Sequence, residues 1–202
     1  MRQKFVLATR NAGKLREMRE ILSGLGVECV SMDDAGCTAD VEETGETFAA
    51  NAMLKARAAC EATGLPAIAD DSGLCVDALN GGPGVYSARY GGPGLSDADR
   101  RALLLDSMRG GSSRAAHFQC CVVCVFPNGE YLTAEGRCDG NIAYGGMGYG
   151  GFGYDPIFVY PPMYKTFAQM TEDEKNEVSH RGKALREFSR KLKEYLAARK
   201  DR

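Results

Sequence analysis

Two adjacent aspartates, Asp70 and Asp71, follow the apolar pair Ile68-Ala69 and precede Ser72 and Gly73. Carboxylates at the mouth of a buried strand are costly unless a metal, a cation or several donors meet them. Neighbouring residues of an extended chain point to opposite sides, so one aspartate at most faces a given site. With no thiolate or histidine cluster beside them, the carboxylates imply hard oxygen ligation, which fits Mg²⁺ rather than zinc. A plain Asp-rich turn is the alternative. Thr9-x-Asn11-x-x-Lys14 lies between an apolar segment and a helical one. A helix amino terminus offers free N–H groups and the positive end of the dipole, so anions bind there. Lys14 adds a full charge, yet an ordinary capped turn with a surface lysine reads the same way. It is not a phosphate loop of the Walker type, because Ala8 and Leu15 stand where Gly and Ser/Thr are needed.

Thr47, Asn51 and Lys55 recur at i, i+4 and i+8, one polar stripe on a helix whose other side is Ala- and Met-rich. Asp40, Glu42 and Glu43 place carboxylates at its entrance. In Phe152-Gly153-Tyr154-Asp155 an aromatic ring beside glycine can stack on a flat base, and Lys175, His180 and Arg181 can donate to it. A solvated stripe and a simple helix cap are the competing readings. Taken together, these groups describe phosphate binders, a carboxylate metal site and a platform for a base.

The elements that must position them follow from periodicity. A short strand over residues 4–8 leads into a helix carrying Leu15, Met18, Leu22 and Leu25 on one face. Residues 27–31 form a second strand and residues 46–63 a second helix capped by Thr44. Residues 67–69 and 74–76 form short strands on either side of a turn at residues 70–73. Ser96 and Asp99 open a third helix reaching about Met108. Residues 115–126 and 131–137 form a hairpin across Pro127-Asn128-Gly129-Glu130. A strand follows near residues 156–160, then a capping box at Thr171 and Glu174, then a last helix after Ser179 with Leu185, Phe188, Leu192, Tyr195 and Leu196 on one face. The result is a mixed α/β fold.

The chain has 202 residues, enough to bury a core without staples, and 25 Lys+Arg against 27 Asp+Glu, well interspersed. That balance argues against a nucleic-acid binder. The longest apolar run, residues 120–126, is far short of a membrane span. Arg2 and Lys4 precede only four apolar residues, too few for a secretory signal. The expectation is a soluble cytoplasmic protein forming one domain over residues 1–202. Eight cysteines in such a chain are small core hydrophobes, and Cys121-Val-Val-Cys124 lies in a strand, where i and i+3 point apart. Of 25 glycines, thirteen fall in residues 81–94 and 140–153, two loops where backbone comes close to a ligand or partner.

Seven blocks, in order, resemble the motifs of the inosine-triphosphate pyrophosphatase family. They are Thr9-Arg-Asn-Ala-Gly-Lys14, Glu42-Glu-Thr-Gly45, Asn51-Ala-Met-Leu-Lys55, Ala69-Asp-Asp-Ser-Gly-Leu74, Gly84-Val-Tyr-Ser-Ala-Arg89, Gly151-Phe-Gly-Tyr-Asp-Pro156 and Ser179-His-Arg-Gly182. The chain departs from that pattern in residues 143–150, which lack a Pro-Arg-Gly, and at Gln169, where the family has Glu. The resemblance implies an elongated mixed sheet with flanking helices, two lobes around a central active-site cleft, and a homodimer. It implies Mg²⁺-dependent cleavage of ITP, dITP and XTP to the monophosphate and pyrophosphate, cleansing the nucleotide pool. By position, Thr9, Asn11, Lys14 and Lys55 would hold the triphosphate, and Glu42 and Asp71 the Mg²⁺, with Asp71 also the proton acceptor. Ser72, Phe152, Gly153, Tyr154, Asp155, Lys175, His180 and Arg181 would bind substrate. The alternative is a non-catalytic purine-nucleotide-binding regulator; neither nucleic acid nor membrane is expected as a partner.

Overall fold

The computed structural model describes residues 3–111 and 113–200, so Arg2 lies outside it. In chain order the elements are β1 (Lys4–Leu7), α1 (Ala12–Leu22), β2 (Glu28–Ser31), α2 (Phe48–Thr63), β3 (Ala67–Val76), α3 (Asp97–Ser107), β4 (Ala115–Val125), β5 (Tyr131–Ile142), β6 (Phe158–Tyr160), β7 (Lys165–Thr166), α4 (Glu172–Val178) and α5 (His180–Lys200), with short 3₁₀ turns between. The strands make one sheet in the order β2-β1-β3-β4-β5-β6-β7. The fold is mixed α/β, as the periodicity implied.

The described residues of Met1–Asp71, Cys120–Gly136 and Arg181–Arg202 form one compact unit. Here β1 pairs in parallel with β2 (Lys4↔Glu28 to Leu7↔Ser31) and with β3 (Val6↔Ala67, Leu7↔Ile68). Strand order 2-1-3 with right-handed crossovers puts α1 and α2 on opposite faces. The carboxyl ends of β1 and β3 are then a topological switch point, the usual place for a ligand in such a sheet. Its core joins Phe5, Leu7, Met18, Leu22, Ile68, Val122 and Phe126 to Leu185, Phe188 and Leu192 of α5. The apolar residues at helical period thus mark buried faces: Met18 and Leu22 in α1 and Leu185, Phe188 and Leu192 in α5 are buried, with Leu15, Leu25, Tyr195 and Leu196 packed against them.

The described residues of Ser72–Gln119 and Arg137–His180 form the second unit. Its sheet is antiparallel, with Asn141↔Val159 and Ile142↔Phe158 across β5 and β6, and Val159↔Thr166 across β6 and β7. Leu74, Leu104, Phe118, Ile142, Ile157, Phe158 and Phe167 build a separate core. Ser96 with Asp99, and Thr171 with Glu174, close capping boxes at the starts of α3 and α4.

Three expectations are corrected. No turn interrupts residues 70–73: β3 is one ten-residue strand. Its charges do not end it because each meets partners described below. The second helix is capped by Thr47, whose Oγ1 accepts the Ala50 N–H at 3.1 Å, and not by Thr44. Thr47 therefore leaves the polar stripe to Asn51 and Lys55. The strand after the hairpin runs on to Ile142, since alternate residues remain buried beyond Arg137. All eight cysteines are free thiols; burial pushes Cys121 up to about 11 and Cys124 higher, as suits core residues. No helix among the described residues is long and apolar enough to cross a membrane.

The cap assignment gives a stability prediction. Thr47→Ala lowers unfolding free energy by about 1 kcal/mol. Thr44→Ala changes it by less than about 0.5 kcal/mol, both read from denaturant midpoints.

Candidate active site

The first unit gathers most of the expected charges around β3. The chain leaves β1 through Thr9, whose Oγ1 accepts the Asn11 N–H at 3.2 Å. Asn11 caps α1, its Oδ1 accepting the Lys14 N–H at 3.0 Å. The loop is thus locally ordered, and α1 starts in register to send Lys14 back toward the strand. Lys14 Nζ lies 3.2 Å from Asp70 Oδ2. Arg181 approaches the same oxygen, Nε to Oδ2 at 3.1 Å, while its Nη1 reaches Glu17 Oε2 at 2.5 Å. Asp70, Glu17 and Arg181 are all buried, and Asp70 Oδ1 has no hydrogen-bond partner among the described residues. Burial alone raises the Asp70 carboxyl, but Lys14, then Arg181 and Lys55, overcome it and hold the group well below the usual carboxylate range. Arg181 is raised in turn: burial opposes its charge, and Asp70 and Glu17 more than restore it.

Asp71, one residue on, has other neighbours, as alternation along a strand requires. Asn51 Nδ2 donates to Asp71 Oδ2 at 3.1 Å, and Asn51 Oδ1 accepts the Gly45 N–H at 2.7 Å. Asn51 is fully buried, so the polar stripe is not a solvated face. It docks the entrance loop onto β3 by one side-chain amide. Lys55 Nζ lies 3.4 Å from Asp71 Oδ1 and 2.6 Å from Glu43 Oε1. Burial pushes the Asp71 carboxyl up, Lys55 and Lys14 pull against it, and Glu43 adds to the rise. Burial likewise opposes the Lys55 charge, yet Asp71, Asp70 and Glu43 leave it raised. The acidic side chain that meets Lys55 is thus Asp71's neighbour in space, Glu43; Glu42, which the family resemblance makes a metal ligand, is exposed, and its backbone carbonyl accepts the Thr44 N–H.

In the second unit Phe152, Asp155 and Lys175 come together. Phe152 N–H donates to Asp155 Oδ2 at 2.8 Å, and Lys175 Nζ reaches the same oxygen at 2.7 Å. Lys175 also stands 4.6 Å from the centroid of the Phe152 ring, a cation–π contact. Asp155 and Lys175 are buried, so the pair fixes the ring from below. Gly151 has φ +71°, and a Cβ there would fall 2.1 Å from Asp155 Oδ2, so only glycine lets the carboxylate close this turn. Tyr154 is buried with its hydroxyl donating to the Ser87 carbonyl at 2.9 Å, and burial pushes it up to about 12. His180 stacks on Phe118 with ring centroids 4.5 Å apart. Ser72 is half-buried in β3. Gln169 accepts from the Thr166 N–H at 2.9 Å as part of a capping box, so the missing carboxylate costs this turn no bond.

Each unit has its own set of contacts. Arg181 belongs with Asp70 and Glu17, whereas Lys175 belongs with Asp155 and Phe152. Glu17 is the site carboxylate that the sequence motifs do not single out, whereas Glu43 stands among the carboxylates at the entrance of α2. Glu17 carried a usable signal, because i+3 from Lys14 it shares that residue's face of α1.

A sequence profile of the Ham1 family matches residues 5–191. The chain belongs to the Ham1 family. It is 46% identical over 195 residues to a dITP/XTP pyrophosphatase of Leptospira interrogans, covering 96% of this chain and 98% of that one. With a dITP/XTP pyrophosphatase of Streptomyces coelicolor it shares 47% identity over 197 residues, again 96% and 98% of the two chains. Among solved structures, a HAM1 protein from Coxiella burnetii superposes with a TM-score of 0.88 at 43% identity, covering 95% of this chain and 99% of that one. The Staphylococcus aureus Ham1 protein gives 0.86 at 39% identity, with 96% and 100% covered.

Within this Ham1 fold the Glu17–Arg181 pair is a structural joint. Removing Glu17 leaves Asp70 to offset both Lys14 and Arg181 in a buried cluster. Glu17→Ala should therefore lower unfolding free energy by about 3 kcal/mol or more. Glu20→Ala, one turn along and exposed, should stay within about 0.5 kcal/mol in the same denaturation series.

Proposed function

We propose that the chain hydrolyses non-standard purine nucleoside triphosphates (ITP, dITP and XTP) to the monophosphate and pyrophosphate. The observation that carries this reading is Asp71, a carboxylate inside a strand that one amide and one lysine compensate only in part. The names of its Ham1 relatives support the substrate class.

The triphosphate end is handled by the Thr9–Lys14 loop and Lys55. A triphosphate carries about four negative charges, which free N–H groups at a helix start and two ammonium groups offset. Each lysine has three donors, so the contacts to Asp70 and Asp71 orient it without exhausting it. Water attacks the α-phosphorus while the bond to the bridging oxygen breaks and pyrophosphate leaves. Asp71 takes the proton of that water.

Among the described residues no group of three or more His, Cys, Asp or Glu is placed to hold a metal. The donor set around Asp71 nevertheless suits Mg²⁺, which binds through one or two carboxylates and otherwise keeps water and substrate phosphates. Asp71 would hold it together with Glu42, as the family resemblance implies, or with Glu43. When bound, Mg²⁺ offsets charge on the phosphates as the anhydride cleaves.

The base end is handled by Phe152, Gly153, Tyr154, Asp155, Lys175 and His180. Phe152 stacks on any purine. Lys175 can only donate, so it matches the C6 oxygen of hypoxanthine or xanthine and not the amino group of adenine. Leaving such a donor unpaired in a dry site produces large discrimination. Ser72 adjoins Asp71 and is assigned to substrate as well, and Arg181 acts through Asp70 and Lys14. The whole chain works as one domain, as a homodimer in the cytoplasm, with no nucleic acid or membrane as partner.

The test is a panel of ITP, dITP, XTP, GTP and ATP, assayed separately for pyrophosphate and orthophosphate with Mg²⁺ present. Pyrophosphate from ITP, dITP and XTP is expected, and Asp71→Asn should lower kcat on the order of 100-fold or more while the protein stays folded. Orthophosphate as the product, or an Asp71→Asn variant as fast as the native chain, would overturn the reading. ITP binding without turnover would mark a nucleotide-binding regulator.

A further inference from the structure

Both glycine-rich windows meet one helix, and the reading above gives that helix no role. Arg100 on α3 donates to the carbonyls of Leu95 and Gly92, the latter at 3.4 Å. Arg101, the next residue, donates from Nη1 to the Gly153 carbonyl at 2.7 Å. Asp97, one turn earlier, accepts the Gly153 N–H on Oδ2 at 2.9 Å. Residues i and i+4 of a helix share a face, so Asp97 and Arg101 grip the N–H and the C=O of a single residue. Each bond pairs a full charge with a peptide dipole, which makes it shorter and stronger than a neutral bond.

Gly153 is the residue whose orientation most needs fixing. Its φ is +57°, a conformation that glycine adopts freely and leaves as freely. Phe152 precedes it, and Asp155 follows two residues on, with Lys175 set between that carboxylate and the Phe152 ring. A rotation of the Gly153 peptide would turn the ring away from Lys175. The turn's own bonds, Phe152 N–H to Asp155 and Tyr154 hydroxyl to Ser87, leave both polar groups of Gly153 to the helix.

We propose that Asp97 and Arg101 are positioning residues for the base-binding turn, holding Gly153 so that Phe152 presents its ring to a purine. The proposal rests on the pyrophosphatase reading and deepens it. Neither residue touches substrate. α3 does not need Asp97 to form, because Ser96 and Asp99 close its capping box independently.

Two readouts test this, applied to Asp97→Ala and Arg101→Ala, with Asp97→Asn and Arg101→Lys as conservative partners that keep an acceptor and a donor. The first is amide hydrogen exchange at Gly153, which needs no substrate. It should speed up by about tenfold or more in Asp97→Ala and return toward the native rate in Asp97→Asn. The second is ITP kinetics with Mg²⁺: KM should rise by about tenfold in either alanine variant, with kcat and inhibition by pyrophosphate little changed, and recover in the conservative variants. Faster exchange with an unchanged KM would reduce the clamp to a structural contact and overturn the proposal. Unchanged exchange would overturn the clamp itself. A native chain that leaves ITP intact would instead overturn the pyrophosphatase reading, and the positioning role with it, while exchange still decides whether the clamp exists.

Discussion

The constraint on which the first unit depends is the compensation of Asp70 inside a continuous strand. A buried, unpaired carboxylate would shift its pKa and neutralise, or break the strand. Instead three elements converge on it: Lys14 from the start of α1, Arg181 from the start of α5, and the strand β3 that carries it. Glu17 then balances the second charge of the cluster through Arg181. The same contacts that keep β3 unbroken aim Lys14 at the carboxyl end of β1. The continuity of β3 and the orientation of Lys14 therefore have one electrostatic origin.

Asp71 shows what that continuity achieves. Were residues 70–73 a turn, both carboxylates could face the same way and repel. In a strand they alternate, so Asp70 meets Lys14 and Arg181 while Asp71 meets Asn51 and Lys55. Asn51 supports this division: its amide oxygen holds the Gly45 N–H, and that bond turns its NH₂ toward Asp71. A buried amide satisfied on both sides is rigid, and it ties the Asp71 carboxylate to the entrance loop.

Much of this was legible in the sequence, but unevenly. The apolar spacings of Leu15, Met18 and Leu22 and of Leu185, Phe188 and Leu192 reported real buried faces, because packing dominates helices of that kind. The ordered motif blocks located nearly every polar residue that the structure brings to Asp70, Asp71 or Phe152. What stayed hidden was long-range pairing. A local reading of Asp70-Asp71-Ser72-Gly73 favours a turn, since the compensating Arg181 is 111 residues away. Thr44 and Thr47 are both plausible caps by type, and only the geometry of the entrance loop chooses between them. The partners of Glu17, Asp97 and Arg101 are remote in sequence, and no periodicity encodes them.

The central claim, that Asp70 and Arg181 stabilise β3 as a coupled pair, is tested most directly by a double-mutant cycle. Asp70→Asn, Arg181→Met and the double variant would be unfolded in denaturant beside the native chain. The account predicts a coupling energy of about 1 kcal/mol or more, the double variant being less damaged than the sum of the singles. Additivity to within about 0.3 kcal/mol would contradict it, because residues that share no interaction behave that way.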